Sequence, residues 1–305
     1  MSKEKLALTA LACVICALAG QPARAAASGR AECQSVKSKT LARSVAYCAL
    51  LPPSYDVEKT RRYPVLYFLH GLGDNEQMFL HSGGWNLVED LWEQHQLGEF
   101  VIVTPAAGAS FYINSHDGKQ RYEDFFLREF MPAIEARYRI TAGRATRGIA
   151  GFSMGGYGAL RLAFLHPDLF GSVSAHSAAL MEKLPNISVA EAAQNPRMRL
   201  LGDVFGSPPD RAFWDRNNPL TLARTAHIAG LKIYFDCGSE DGYGFNAGAD
   251  TLDKILSSRH IAHEFHIYPG GHDWSYFAEH LPASLGFEAR AFGLKYAGQL
   301  ARAAV

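Results

Sequence analysis

Thr146-Arg147-Gly148-Ile149-Ala150-Gly151-Phe152-Ser153-Met154-Gly155-Gly156-Tyr157-Gly158-Ala159-Leu160 is the stretch on which the fold turns. Its first part, to Gly151, reads as a short strand. Its continuation from Met154 to Leu165 is small and apolar, as a helix packed on a sheet should be. Between them, Gly151 and Gly155 leave room for a turn so tight that its central residue takes strained backbone angles. The Ser153 hydroxyl is thereby pushed above the sheet at a helix N-terminus, where the helix dipole favours developing negative charge.

Working outward, other continuous apolar runs have strand length: Pro64 to Leu69, Phe100 to Thr104, Ser172 to Ala175, Leu231 to Asp236 and His263 to Tyr268. Such runs fit strands buried on both faces of a mainly parallel sheet. Helical patterns fall between them, over Asn86 to Gln94, Tyr122 to Arg137, Met154 to Leu165 and Gly248 to Ser258, with another from Phe277 onward. The alternation predicts one doubly wound α/β domain over residues 26–305. Residues 179–227 break the rhythm with Pro185, Pro196, Pro208, Pro209 and Pro219, and read as a cap-like insertion over the sheet edge.

Thirty Lys and Arg balance thirty Asp and Glu in the 305 residues, so the chain lacks the basic excess of an electrostatic nucleic-acid binder. With 48% hydrophobic and 20% charged residues, a packed core is expected. Lys3 and Lys5, the apolar run Leu6 to Gly20 and the small residues of Ala23-Arg24-Ala25 predict a signal peptide over residues 1–25. The mature chain is then expected to be secreted or periplasmic, with no stable membrane insertion. Cys33, Cys48 and Cys237 remain. Cys33 and Cys48 flank a polar stretch that an antiparallel hairpin would fold so as to bring them opposite one another. A disulfide is expected there in an oxidising compartment; two unpaired buried thiols are the alternative on spacing alone. Cys237 sits in an apolar strand and reads as a small buried hydrophobe.

A serine at neutral pH needs a base. Among 12 histidines, His272 stands out, because Gly270-Gly271 precedes it just past a strand end. From a flexible loop there it reaches a serine above the sheet, and it comes last in chain order. The base in turn needs an acid to fix its tautomer. Asp236 lies inside a strand, whereas Asp241 lies in the turn Gly238-Ser239-Glu240-Asp241-Gly242, from which a carboxylate can swing toward His272. Asp241 is preferred and Glu240 is the alternative. The two backbone donors of an oxyanion hole are expected at Met154 and in His70-Gly71-Leu72-Gly73, with Leu72 the candidate.

These residues, with Leu51-Pro52-Pro53-Ser54-Tyr55, Tyr122-Glu123-Asp124-Phe125-Phe126, His166-Pro167-Asp168-Leu169-Phe170 and Gly270-Gly271-His272-Asp273-Trp274, resemble the "putative esterase" family of α/β hydrolases. That family includes esterase D (S-formylglutathione hydrolase), feruloyl and other carbohydrate-acyl esterases, and mycolyltransferases. The resemblance runs from about Tyr47 to Phe292. It implies an α/β-hydrolase fold with Ser153 as nucleophile, His272 as base and Asp241 as acid, the oxyanion amides on Leu72 and Met154, and no cofactor. The ester substrate it implies is a small molecule or a carbohydrate ester, feruloyl and acetyl esters among them. Transfer of the acyl group to a sugar hydroxyl, S-formylglutathione-type thioester hydrolysis and a non-catalytic carbohydrate- or partner-binding module stand as alternatives.

Trp85, Phe111, Tyr112 and Trp274 fall in loops at the carboxyl ends of strands and are candidates to line a pocket for an aromatic or sugar-linked acyl ester. Tyr112 and Asn114, ahead of the polar loop Ser115 to Lys119, are candidates for substrate contact. His260, His263 and His266 recur every third residue, but a strand would turn His263 and His266 to opposite faces, so no metal site is expected there.

Overall fold

In the computed structural model, residues 28–184 and 196–295 are described below. The expected signal peptide therefore lies outside the described residues, as does part of the 179–227 insertion. The chain begins with a hairpin, β1 (Arg30–Ser38) and β2 (Arg43–Leu51), in which Cys33 pairs across from Cys48 and the two are joined by a disulfide.

Six more strands follow: β3 (Val65–Leu69), β4 (Val101–Pro105), β5 (Arg147–Phe152), β6 (Ser172–His176), β7 (Lys232–Gly238) and β8 (Glu264–Tyr268). All eight form one sheet in the order β1-β2-β4-β3-β5-β6-β7-β8. The hairpin runs antiparallel to β4, and β3 to β8 are mutually parallel. Each of β3, β4 and β6 is buried along its whole length, which is why they appear in the sequence as unbroken apolar runs.

Helices cover both faces. On one side lie α1 (Met78–His81), α2 (Gly84–Glu93) and, later in the chain, the long Trp274–Ala291 helix. On the other lie α3 (Tyr122–Phe125), α4 (Met131–Arg137), α5 (Met154–Leu165), α6 (Pro196–Phe205), α7 (Arg211–Asn217), α8 (Pro219–Thr225) and α9 (Phe245–Ser258). The Trp274–Ala291 helix is α10. Alternate residues of β3 feed the two cores: Val65, Tyr67 and Leu69 face one, Leu66 and Phe68 the other.

The expected helix over 122–137 is interrupted by a π-helical turn at Phe126–Phe130. Pro132 has no N–H to give to the carbonyl four residues back, and the widened turn just before it accommodates the missing bond. No helix among the described residues is long and apolar enough to cross a membrane.

Candidate active site

Strand β5 runs directly into α5 with Ser153 at the corner. Ser153 has φ 55° and ψ −120°, a conformation that a residue with a side chain holds only when its surroundings enforce it. Its N–H donates to the carbonyl of His176 at 2.9 Å, and its carbonyl accepts from Tyr157 and Ala179 N–H at 3.0 Å each. The turn closes tightly because α5 passes against the end of β3: a Cβ on Gly155 would stand 2.0 Å from the Leu69 carbonyl oxygen.

The candidate acid and base arrive from β7 and β8, beyond β6 in the sheet. Asp241 follows β7, and His272 lies in the loop between β8 and α10. The two loops meet closely, since a Cβ on Gly238 would come 2.4 Å from the Gly270 carbonyl oxygen. His272 Nε2 lies 2.9 Å from Ser153 Oγ, and its Nδ1 lies 2.7 Å from Asp241 Oδ2. With Nδ1–H donating to the carboxylate, Nε2 is left to accept the serine proton.

The Asp241 side chain is buried. Burial alone would raise its carboxyl, but hydrogen bonds from His272 and the Tyr243 N–H outweigh that, and it ionises below its ordinary value. Glu240, the alternative acid, is exposed, and Asp236 is buried in β7.

Leu72 and Met154 both line the cavity in front of Ser153. The N–H of Met154 belongs to the first turn of α5, where amides have no intrahelical acceptor. The 70–72 loop is pinned from beneath: neutral His70 donates from Nδ1 to the Gly71 carbonyl at 2.8 Å and accepts the Ala107 N–H on Nε2 at 2.9 Å. Burial pushes the His70 imidazole below its usual value, which favours that neutral form.

The cavity measures about 720 Å³. Phe111, Met181, Leu200 and Leu201 form one wall, continuous with the α5-side core, and Met78, Trp274 and Phe277 form the wall toward α10. Leu200 and Leu201 belong to α6, so the insertion supplies part of the pocket.

Trp274 thus faces the cavity, and three of the expected substrate contacts do not. Tyr112 is fully buried; its hydroxyl donates to the His70 carbonyl at 3.0 Å, and its ring packs edge-on against Tyr122. Asn114 is committed to α3, donating to Asp124 Oδ2 at 3.0 Å and accepting the Asp124 N–H at 3.2 Å. Trp85 sits on α2 outside the cavity lining, edge-on to Trp92 with ring centroids 6.1 Å apart. Among the cavity residues that the sequence does not single out, Tyr243 and Phe245 stand beside His272. Their rings stack on one another and stand edge-on to His272 at 4.7 and 5.5 Å. Their place just after Asp241 was the available signal. His263 and His266 pack instead: His263 bonds Asp253 and stacks on Phe235, and His266 stacks on Tyr268.

A serine on a β5–α5 elbow, an acid after β7 and a histidine after β8 of one mostly parallel sheet define the α/β-hydrolase fold. The chain belongs to the family described as "Putative esterase", whose model matches residues 38–287. It is 33% identical over 241 residues to Esterase MT1326 of Mycobacterium tuberculosis (strain CDC 1551 / Oshkosh), covering 73% of this chain and 51% of that one. The chain therefore spans about half the length of that curated relative. It is 28% identical over 258 residues to an acetyl esterase of Caldicellulosiruptor saccharolyticus, covering 80% of this chain and 92% of the relative. A solved ferulic acid esterase superposes with a TM-score of 0.74 at 27% identity, over 87% of this chain and 99% of that one.

Proposed function

We propose that the protein is a serine carboxylic-ester hydrolase working through an acyl-enzyme. The observation that carries this reading is the unbroken hydrogen-bonded line from Ser153 Oγ through the His272 ring to Asp241 Oδ2. In this reading His272 Nε2 takes the Ser153 proton as Oγ attacks the ester carbonyl, and the Leu72 and Met154 amides hold the oxyanion. Asp241 stabilises the imidazolium. The alcohol leaves with the proton from His272. Water, activated in the same way, then frees the acid.

The preferred substrates in this reading are acetyl or feruloyl esters, including carbohydrate-linked ones. The names of an acetyl esterase relative and of a ferulic acid esterase structure support it, as does a cavity lined by both aliphatic and aromatic side chains. The test is hydrolysis of p-nitrophenyl acetate, p-nitrophenyl butyrate and methyl ferulate by the wild type and by Ser153→Ala. Turnover of at least one ester by the wild type and none above background by the variant is expected. Wild-type-like turnover by the variant would refute the assignment. Product analysis with a sugar acceptor present separates hydrolysis from acyl transfer.

The reading extends to an exported protein cleaved after Ala25. The leader-like sequence and the Cys33–Cys48 bond support it. N-terminal sequencing of the mature protein is expected to begin at Ala26; retention of Met1 in the mature protein contradicts it.

A further inference from the structure

Helix α10 packs on the sheet, yet Tyr276, His280, Ser284 and Glu288 recur along it every fourth residue. That spacing lines one face of a helix. Tyr276, Ser284 and Glu288 are buried, where an amphipathic helix ordinarily presents apolar groups. Beneath them lie two further buried polar side chains, His176 at the end of β6 and Asp236 in β7. A buried carboxylate is costly unless its oxygens are satisfied. Asp236 Oδ1 accepts the Tyr276 hydroxyl at 2.9 Å, and Oδ2 accepts the Tyr234 hydroxyl at 2.9 Å. His176 Nε2 bonds Ser284 Oγ at 2.7 Å, and its Nδ1 lies 2.8 Å from Asp236 Oδ2 without the alignment of a hydrogen bond.

This cluster touches each loop of the proposed triad. The His176 carbonyl holds the N–H of Ser153 at 2.9 Å. Asp236 lies two residues before the end of β7, from which the Asp241 loop leaves, and its own carbonyl accepts the Ser177 N–H at 2.8 Å. Tyr276 lies in the first turn of α10, and its N–H donates to Asp273 Oδ1 at 3.0 Å, the residue next to His272. The Tyr276–Asp236 bond therefore clamps the His272 segment to the strand that delivers Asp241.

We propose that Tyr276, acting through Asp236, is a positioning residue that sets the His272 imidazole between Ser153 and Asp241. The inference rests on the triad reading above. A displacement of about 1 Å at the reacting groups costs on the order of 100-fold in rate, so loosening this clamp registers in turnover rather than in substrate binding. Tyr234 supplies an internal control. It gives the same carboxylate the same kind of bond, but from β7 itself and not from the His272 segment.

The experiment compares Tyr276→Phe with Tyr234→Phe, each of which removes one buried hydroxyl from Asp236. Both are expected to lower Tm by similar amounts. Only Tyr276→Phe is expected to reduce kcat, by roughly tenfold or more with KM within about twofold, and to slow fluorophosphonate labelling in parallel. Tyr234→Phe is expected to keep kcat within about twofold of wild type. Tyr276→Met serves as a second hydroxyl-deleting variant in case the phenylalanine variant does not fold. Equal kcat losses in the two positions, or an unchanged kcat after loss of the Tyr276 hydroxyl, overturn the proposal. Labelling of the wild type keeps the two readings apart: a wild type that takes no label fails the triad reading, whereas a labelled wild type with an equally fast Tyr276→Phe variant fails only the positioning role.

Discussion

Gly155 lies so close beneath Leu69 that a methyl group on it would overlap the Leu69 carbonyl oxygen at 2.0 Å. Both partners are backbone held by β3 and α5, so neither can step aside as a flexible side chain would. Gly155→Ala is expected to destabilise the fold by about 3 kcal/mol or more, since overpacking here displaces main chain. Thermal unfolding of purified protein checks this; a Tm within about 2 °C of wild type would show that the elbow tolerates a side chain there.

The Asp241 carboxyl ionises below its ordinary value because His272 and the Tyr243 N–H bond it despite its burial. A depressed folded value contributes stability above the unfolded value of about 3.8, lost as pH falls through the lower folded value. Asp241→Asn is therefore expected to lose that acid-side dependence. Because an amide no longer fixes the imidazole tautomer, kcat is expected to fall by about 10⁴-fold with the fold retained. Steady-state kinetics and circular dichroism across pH check both parts.

Glu288 is fully buried under β6 between the hydroxyls of Ser172 and Ser174, and burial pushes its carboxyl from 4.5 up to about 7. The unfolded chain thus releases this proton first, so stability falls as pH rises between about 4.5 and about 7. Glu288→Gln keeps a partner for each serine without the ionisation. It is expected to be more stable than wild type by up to about 3 kcal/mol at pH 8, with the advantage vanishing near pH 4. Denaturant melts at the two pH values measure the difference.

The fold was legible in the sequence where local pattern decides structure. Buried parallel strands appear as apolar runs, and the Gly151–Gly155 turn appears as two glycines flanking a serine. Strand ends are also where loops converge, which is why the sequence brings out Asp241 and His272, whose carboxylate and imidazole the structure sets side by side. Tyr112 illustrates what stays hidden. Its hydroxyl partner, the His70 carbonyl, lies 42 residues away, and no periodicity marks an aromatic loop residue as facing inward. Asn114 is hidden for the same reason, since Asp124 on α3 claims its amide. Trp85 is hidden by a helix boundary: α2 begins at Gly84, ahead of the expected Asn86, and sets the Trp85 ring beside Trp92 of the same helix. The four-residue spacing of Tyr276, His280, Ser284 and Glu288 stood in plain view, but a polar stripe reads as a solvated face until a sheet is placed beneath it.

Leu200 and Leu201 bring the insertion into the cavity wall. Leu200→Trp is expected to fill part of that space. The kcat/KM for p-nitrophenyl butyrate or methyl ferulate should fall at least about tenfold relative to p-nitrophenyl acetate. An unchanged ratio would place the acyl group elsewhere in the cavity.

In the proposed mechanism everything depends on the Ser153 hydroxyl being the nucleophile. Incubation with a fluorophosphonate, followed by peptide mass spectrometry, tests it most directly. One adduct per chain is expected, located on Ser153 and absent from Ser153→Ala. An adduct on another residue, or the absence of any adduct on an enzyme that hydrolyses esters, would contradict it.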